Sequence, residues 1–243
     1  VNDAPTITQT TSNDFTEDST SAGDTVGVFD VDDEETADSS LTLSISDTTN
    51  YALSYDNSGT ATVTLTATGA ATVNAGNDLP AYTVTVTDGN SSTATATHDP
   101  SVTTVNDAPI VVNDTDSVTE GGTVTETTNS GTGTVLSDDS DEEGSALSVS
   151  GTVTQTSATA NGGSSITISS PNSASVGSAV TGYYGQLTLD SDGTYSYVAN
   201  QSNANALDDG ESGTDVFTFT VSDGTTTTSS TITFTVNGAN DAP

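Results

Sequence analysis

The chain has 243 residues, with no Lys or Arg, 34 Asp and Glu, one His and no Cys, for a formal net charge of −34. That balance excludes nucleic-acid binding, which needs Lys or Arg to displace counterions from phosphates, and it argues against docking on anionic membrane surfaces. It also removes lysine chemistry, disulfides, zinc thiolates and thiol nucleophiles.

Val, Leu, Ile and Phe make up about 18% of the residues, just under the level at which a highly charged chain stays unfolded. Their order opposes that outcome. They alternate with polar residues, and the filler is Thr, a β-branched residue suited to a pleated surface. The apolar runs are only a few residues long, too short to span a membrane.

Thr6-Ile7-Thr8 opens a short strand, and Asp14-Phe15-Thr16-Glu17-Asp18 follows as an acidic turn. Thr25 to Phe29 reads as a strand that runs into the acidic stretch Asp30 to Glu35. Leu41, Leu43 and Ile45 keep a period of two, as do Tyr51, Leu53 and Tyr55, and then Ala61, Val63 and Leu65. Tyr82, Val84 and Val86 form another strand, stopped by Asp88-Gly89-Asn90, and Thr93 to Thr97 form a Thr/Ala strand. About seven short strands separated by turn signals predict a β-sandwich. No stretch has a helical period; residues 69–76 hold at most one turn.

The second half repeats the plan with insertions. Ser117 to Gly122 matches the position of Phe15-Thr16-Glu17, and Thr134-Val135-Leu136 runs into the acidic stretch Asp138 to Glu143. Leu147, Val149 and Val153 continue the alternation, and Ala158 to Ala179 is a Ser/Asn/Gly-rich insert, an extra hairpin or a loop. Gly185 to Tyr197 is a hairpin around Asp190-Ser191-Asp192-Gly193, and Val216–Val221 pairs with Ile232–Val236 around Asp223-Gly224.

Val1-Asn2-Asp3-Ala4-Pro5 recurs as Val105-Asn106-Asp107-Ala108-Pro109, and again without the Val as Asn240 to Pro243. A mark that recurs at one domain length predicts tandem modules, 1–104 and 105–243, joined by stiff, extended linkers. The acids avoid strand middles and gather at strand ends. Alternate carboxylates can converge on a hard cation, and with no cationic side chain present a divalent ion is their remaining partner. Calcium, with six to eight oxygen ligands and a tolerance of irregular geometry, fits better than magnesium. Asp139 to Gly144 mimics the start of an EF-hand loop, but Ser150 stands where the closing Glu is required. His98, alone beside Asp99 and Pro100, reads as structural, and with no Cys or Lys no enzyme is expected.

Two sets of motifs carry a family resemblance. Tyr184 to Tyr197, Ala206 to Glu211, Asp215 to Gly224 and the closing Asn-Asp-Ala-Pro resemble the VCBS repeat of giant bacterial surface proteins. Phe15 to Asp18, Asp30 to Asp33, Asn50 to Leu53, Thr85 to Asp88 and the linker resemble the related bacterial cadherin-like repeat. The resemblance implies two Ig-like, cadherin-like antiparallel β-sandwiches in an elongated rod, with calcium at each joint. The implied ligands at the central joint are Glu17, Asn106, Asp107, Asp139, Asp141 and Asp223, with Asp78 as a further candidate. The N-terminal joint would take Asn2, Asp3, Asp30, Asp32 and Asp88; the C-terminal joint would take Glu120, Asp209, Glu211, Asn240 and Asp241. Thr104 and Ala108 depart from the cadherin linker pattern, where Asp and Asn are usual.

The expected role is that of calcium-rigidified extender repeats in an adhesin or filament outside the bacterial cell. Neighbouring repeats or subunits would be the partners, and any cell-surface or glycan ligand would lie elsewhere in the full protein. A self-assembling filament subunit and a calcium-dependent sugar- or ice-binding module stand as alternatives.

Overall fold

A computed structural model describes residues 2–126 and 133–240. The chain separates into two compact units, Val1–Val105 and Asn106–Pro243.

Among the described residues, the first unit contains β1 (Thr6–Ser12), β2 (Phe15–Thr16), β3 (Thr25–Asp32), β4 (Thr42–Ile45), β5 (Tyr51–Tyr55), β6 (Thr60–Leu65), α1 (Ala67–Asn74), β7 (Tyr82–Thr87), β8 (Thr93–His98) and β9 (Val102–Thr103). One sheet has the order β1-β3-β6-β5 and the facing one β4-β7-β8. The period-two reading places these strands well, most clearly in β7, where Tyr82, Val84 and Val86 turn inward while Thr83, Thr85 and Thr87 turn out. Tyr82 centres the core. Its ring meets Tyr51 at 4.5 Å, Phe29 at 6.3 Å and His98 at 5.7 Å between centroids. His98 is thus an aromatic packing partner, in keeping with a structural role.

The sequence reading missed the eight-residue helix α1. Its start is set by Thr66, whose Oγ1 accepts from the Gly69 N–H at 3.0 Å. Gly69 is required because a Cβ there would lie 2.2 Å from the Asn50 carbonyl oxygen. A helix this short, burying only Gly69, Ala70 and Val73, leaves too few apolar residues to show a period.

The second unit contains β10 (Asp114–Thr119), β11 (Thr123–Glu126), β12 (Ser148–Thr159), β13 (Ser165–Ile166), β14 (Ser173–Ser175), β15 (Val180–Thr181), β16 (Gln186–Leu189), β17 (Tyr195–Val198), β18 (Ser212–Ser222) and β19 (Thr227–Asn237). One sheet runs β10-β19-β18-β12-β13, with β14 also on β12, and the other runs β11-β17-β16-β15. Both expected hairpins form, with Leu187 opposite Tyr197 and Phe217 opposite Ile232. The 158–179 insert supplies β13 and β14, which extend the edge of the larger sheet. Residues 134–136 form no strand; Val135 is instead buried, and its N–H bonds Gly193 O at 3.1 Å.

Among the described residues the sheets are antiparallel except at one place in each unit. β2 pairs parallel with β9, and β10 pairs parallel with β19. These exceptions position the sites described below.

Asp215 organises the core of the second unit. It occupies an inward position of β18 between Gly213 and Phe217 and is fully buried. Its carboxylate accepts from the N–H groups of Tyr183 (2.8 Å), Tyr184 (2.9 Å) and Gly185 (3.1 Å), from Tyr197 Oη (2.7 Å) and from Gln155 Nε2 (3.1 Å). The turn wraps this closely because a Cβ at Gly182 would sit 2.5 Å from Asp215 Oδ2. Tyr197 then stacks on Phe234 at 4.1 Å. Asp215→Ala leaves all of these donors unsatisfied and is expected to cost the second unit about 3 kcal/mol or more. Denaturant unfolding measures the loss, and a cost below about 1 kcal/mol would refute the organising role.

Candidate metal centres

The parallel pairs bring one glutamate in each unit against the departing linker. After β2, Glu17 N–H bonds Thr103 O at 3.0 Å; after β10, Glu120 N–H bonds Asn237 O at 2.9 Å. Each side chain then takes one backbone donor from the linker. Glu17 Oε2 accepts from Val105 N at 2.8 Å, and Glu120 Oε1 accepts from Ala239 N at 2.8 Å. In each case the other carboxylate oxygen is enclosed without a hydrogen-bond partner. Glu17 is 1% exposed.

The incoming linkers repeat a second arrangement. In the first unit Asn2 Nδ2 donates to Asp88 Oδ2 (2.8 Å), Ser92 Oγ (3.0 Å) and Asp3 O (3.0 Å), and Asp3 N–H reaches Glu35 Oε2 at 3.3 Å. In the second unit Asn106 Nδ2 donates to Asp223 Oδ2 (2.8 Å), Thr226 Oγ1 (3.2 Å) and Asp107 O (2.7 Å), and Asp107 N–H reaches Glu143 Oε1 at 3.3 Å. Asp88 and Asp223 also accept backbone N–H groups from their turns: Asn90 and Ser92 for one, Thr225 and Thr226 for the other. The Asn2 amide and these donors lower the Asp88 pKa, and the Asn106 amide with its turn holds Asp223 well below the usual carboxylate range.

The acidic stretches divide by strand alternation. Asp30 and Asp32 are exposed on β3, opposite Thr8 and Thr6, while Asp33 turns inward. Asp33 Oδ1 accepts from Glu35 N and Thr36 N, and its Oδ2 is enclosed without a partner. One carboxylate oxygen each from Asp3, Glu34 and Glu35 lies within 4.8 Å of the others. Sequence reasoning therefore missed Asp33, Glu34 and Glu35 as a local set. The signal lay in the register of β3, whose buried positions Phe29 and Val31 continue to Asp33.

In the second unit Asp139 Oδ1 accepts from Val112 N and Asp141 Oδ1 from Ser145 N, both at 2.8 Å, and both Oδ2 atoms are enclosed and unpartnered. Asp114, the first residue of β10, has an enclosed, unpartnered Oδ2 as well. The remaining candidates are less available. Asp78 and Asp209 are exposed, and Glu211 is engaged by Asn161 Nδ2 (2.7 Å) and Asp208 N (3.1 Å). Asn240 lies in the departing linker, and Asp241 falls outside the described residues.

Eight enclosed side-chain polar atoms lack a partner among the described residues, and six are carboxylate oxygens: those of Glu17, Asp33, Asp114, Glu120, Asp139 and Asp141. An enclosed carboxylate oxygen without a donor is costly, and the chain has no Lys or Arg to neutralise one. The donor set is all oxygen, hard and irregular, which is the chemistry of a calcium site.

These features define a class: a pair of β-sandwich repeat units with carboxylates concentrated where each linker enters and leaves. The family of bacterial cadherin-like domains matches residues 106–238, and the chain belongs to it. The match falls on the unit whose motifs resemble the VCBS repeat. Solved structures agree on the fold. Protocadherin Gamma B2 extracellular cadherin domains 1-5 superpose with a TM-score of 0.60 at 11% identity, covering 100% of this chain and 41% of that one. The protocadherin gammaB7 EC3-6 cis-dimer structure gives 0.53 at 14% identity, covering 97% and 50%. The chain thus spans half or less of the length of these cadherin structures. No curated protein sequence matches it.

Burial, with Asp138 and Asp139 close by, raises the Asp114 pKa to about 7. Its folded value lies above the unfolded value of about 4, so the native state keeps a proton that the unfolded chain releases. Stability from this group therefore falls as pH rises from about 4 to 7. Asp223 has the opposite sign: its contribution is present above the unfolded pKa and is lost as pH falls. In calcium-free buffer, Asp114→Asn should flatten the loss of stability across that window and raise the melting temperature near pH 8. An unchanged melting profile against pH would contradict the assignment.

Proposed function

We propose that the chain forms two extender repeats of an extracellular bacterial surface protein, stiffened by calcium where the linkers enter and leave each domain. Cadherin-like domains are non-enzymatic adhesion or structural modules and are typically extracellular, which supports the class. The observation that carries the calcium reading is the set of six enclosed, unpartnered carboxylate oxygens in a chain without a cationic side chain. No helix among the described residues is long and apolar enough to cross a membrane.

On this reading Glu17 and Glu120 supply ligands where a linker leaves, and Asp33, Asp139 and Asp141 where one enters. Asn2 with Asp88, and Asn106 with Asp223, lock each entering linker to its domain. Calcium, when bound, neutralises the carboxylates, and the chain's own residues hold the linkers in place for it. The natural partners are neighbouring repeats of the same chain or neighbouring subunits. The protocadherin gammaB7 fragment was solved as a cis-dimer, an arrangement that lateral contacts between such repeats could share.

Thermal melts in millimolar calcium and in EDTA test the reading, paired with small-angle scattering. Calcium at about one hundred times its dissociation constant should raise the melting temperature by on the order of 10 °C and narrow the distribution of molecular dimensions. Glu17→Gln and Glu120→Gln should each shrink that increment. Identical melts with and without calcium would sink the proposal.

A further inference from the structure

The two sheets of the first unit leave one side open. Among the described residues, β4 pairs with β7 alone and β5 with β6 alone, so each is an edge strand. Ser46 N–H bonds Thr83 O at 3.0 Å. By the alternation of an antiparallel pair, the N–H groups of Thr42 and Ser44 also point to β7, and those of Leu43 and Ile45 point to the open side. An exposed edge invites a further strand, and proteins guard such edges with Pro, charge or a bulge. β1, at the other end of the β5 sheet, carries a register shift between Gln9 and Thr11. Thr42–Ile45 and Tyr51–Tyr55 hold no Pro and no charge, and their pairing runs without a shift. A groove of about 510 Å³ lies along these edges, lined by Leu43, Ile45, Tyr51 and Leu53 together with Thr48 and Thr66. Leu43, Ile45 and Leu53 pack on the core yet are only half-buried.

The second unit shows what this position accepts. β12 is the counterpart of β4: it pairs with β18, which ends at the Asp223 turn, as β7 ends at the Asp88 turn. On the far side of β12 lie β13 and β14. There Ala174 stands opposite Val153, and Ile166, Ala174 and Val176 pack against the core while Ser173 and Ser175 are exposed. An extended segment with small apolar side chains at alternate positions thus closes the edge. In the first unit residues 46–50 join β4 directly to β5, with no insert to do the same.

Charge narrows the occupant. Asp38 precedes β4, Asp47 follows it and Asp56 follows β5. Asp47 accepts from Asn50 Nδ2 (2.8 Å) and Thr49 N (2.7 Å), and Asp56 from Thr60 N (2.9 Å) and Ser58 N (2.8 Å). These donors lower both pKa values, so both acids are ionised at neutral pH. A second copy would bring the same acids against them and be repelled. The chain has no Lys or Arg of its own to offer, so the complementary strand belongs to another protein.

We propose that the β4–β5 edge is a docking site for an extended segment of a partner protein. The segment adds to β4 as a strand, sets small apolar side chains into the groove at alternate positions, and carries Lys or Arg toward Asp38, Asp47 and Asp56. Main-chain bonds at Leu43 and Ile45 supply affinity, the groove sets the alternation, and the rim charges speed the encounter. The proposal goes beyond the calcium reading and does not depend on it.

The test uses the full chain and a fluorescent peptide of alternating Val and Thr with two Lys at each end, followed by anisotropy and by hydrogen exchange. The peptide should bind saturably, protect amides within residues 41–55, and weaken at least about threefold between ~0.05 M and ~0.3 M NaCl. The same peptide with Glu in place of Lys should not bind. Ile45→Pro removes a donor on the open side of β4, a change that edge strands tolerate. Ala52→Lys sets a like charge at an exposed position lining the groove. Each should raise the dissociation constant at least about tenfold, and Ala52→Lys with the exchange map decides the matter if the proline variant does not fold. No binding of the Lys peptide, protection outside residues 41–55, wild-type affinity in Ala52→Lys or equal binding of the Glu peptide would each overturn the proposal. Dimers of the chain alone whose contact maps to residues 41–55 would assign the edge to a second copy and overturn it too.

Discussion

A chain with 34 carboxylates and no Lys or Arg must neutralise its buried acids without ion pairs. Three means remain: retention of the proton, as at Asp114, hydrogen-bond donors from the protein itself, and cations from the solvent. The molecule uses donors for Asp215, whose two oxygens receive five of them and need nothing else. It leaves Glu17, Asp33, Glu120, Asp139 and Asp141 each with one oxygen served and the other enclosed. The contrast lies within one residue class in one fold, so burial alone does not explain it. What differs is place: Asp215 sits mid-strand in a core, and the others sit where a linker enters or leaves a domain.

That placement follows from sheet topology. A short parallel strand lies beside the last strand of each unit, β2 on β9 and β10 on β19. The residue after the short strand then runs alongside the residue that begins the departing linker. Glu17 beside Val105 and Glu120 beside Ala239 are the same geometry built twice from different sequences. The entering linkers repeat just as closely, with Asn2 and Asp88 in one unit matched by Asn106 and Asp223 in the other. The duplication extends to the asymmetry of each glutamate, one oxygen bound and one not. Such coincidence in two units argues for a shared function at the linker and against accidents of packing.

Helix α1 belongs to the first unit and gives its departing end a different wall. In the second unit the corresponding stretch is a series of turns from 201 to 206. The two glutamates therefore share backbone partners but not surroundings: Glu17 faces a helix terminus and is almost fully covered, while Glu120 is partly exposed. Two repeats of one family thus present related carboxylate sites of different enclosure.

The sequence by itself determined the architecture. Alternation in Leu41 to Ile45, Tyr51 to Tyr55, Leu187 to Leu189, Tyr195 to Tyr197 and Phe217 to Val221 indicated which residues face inward, because side chains on a strand have a period of two. The recurring Asn-Asp-Ala-Pro fixed the division into repeats, and the absence of cationic side chains fixed the chemistry of the acids. Tertiary structure decided which acids are enclosed. Asp30, Asp32 and Asp33 are alike as letters, but only the register of β3 turns Asp33 inward and leaves the other two in solvent. Asp215 stood in the sequence only as the first letter of the motif Asp215 to Gly224, and it is the 182–185 turn, thirty residues away, that folds over it. The parallel pairings and the short helix α1 were invisible for the same reason. They are specified by contacts distant in sequence, by a Gly that lets one backbone pass another, and not by any local period.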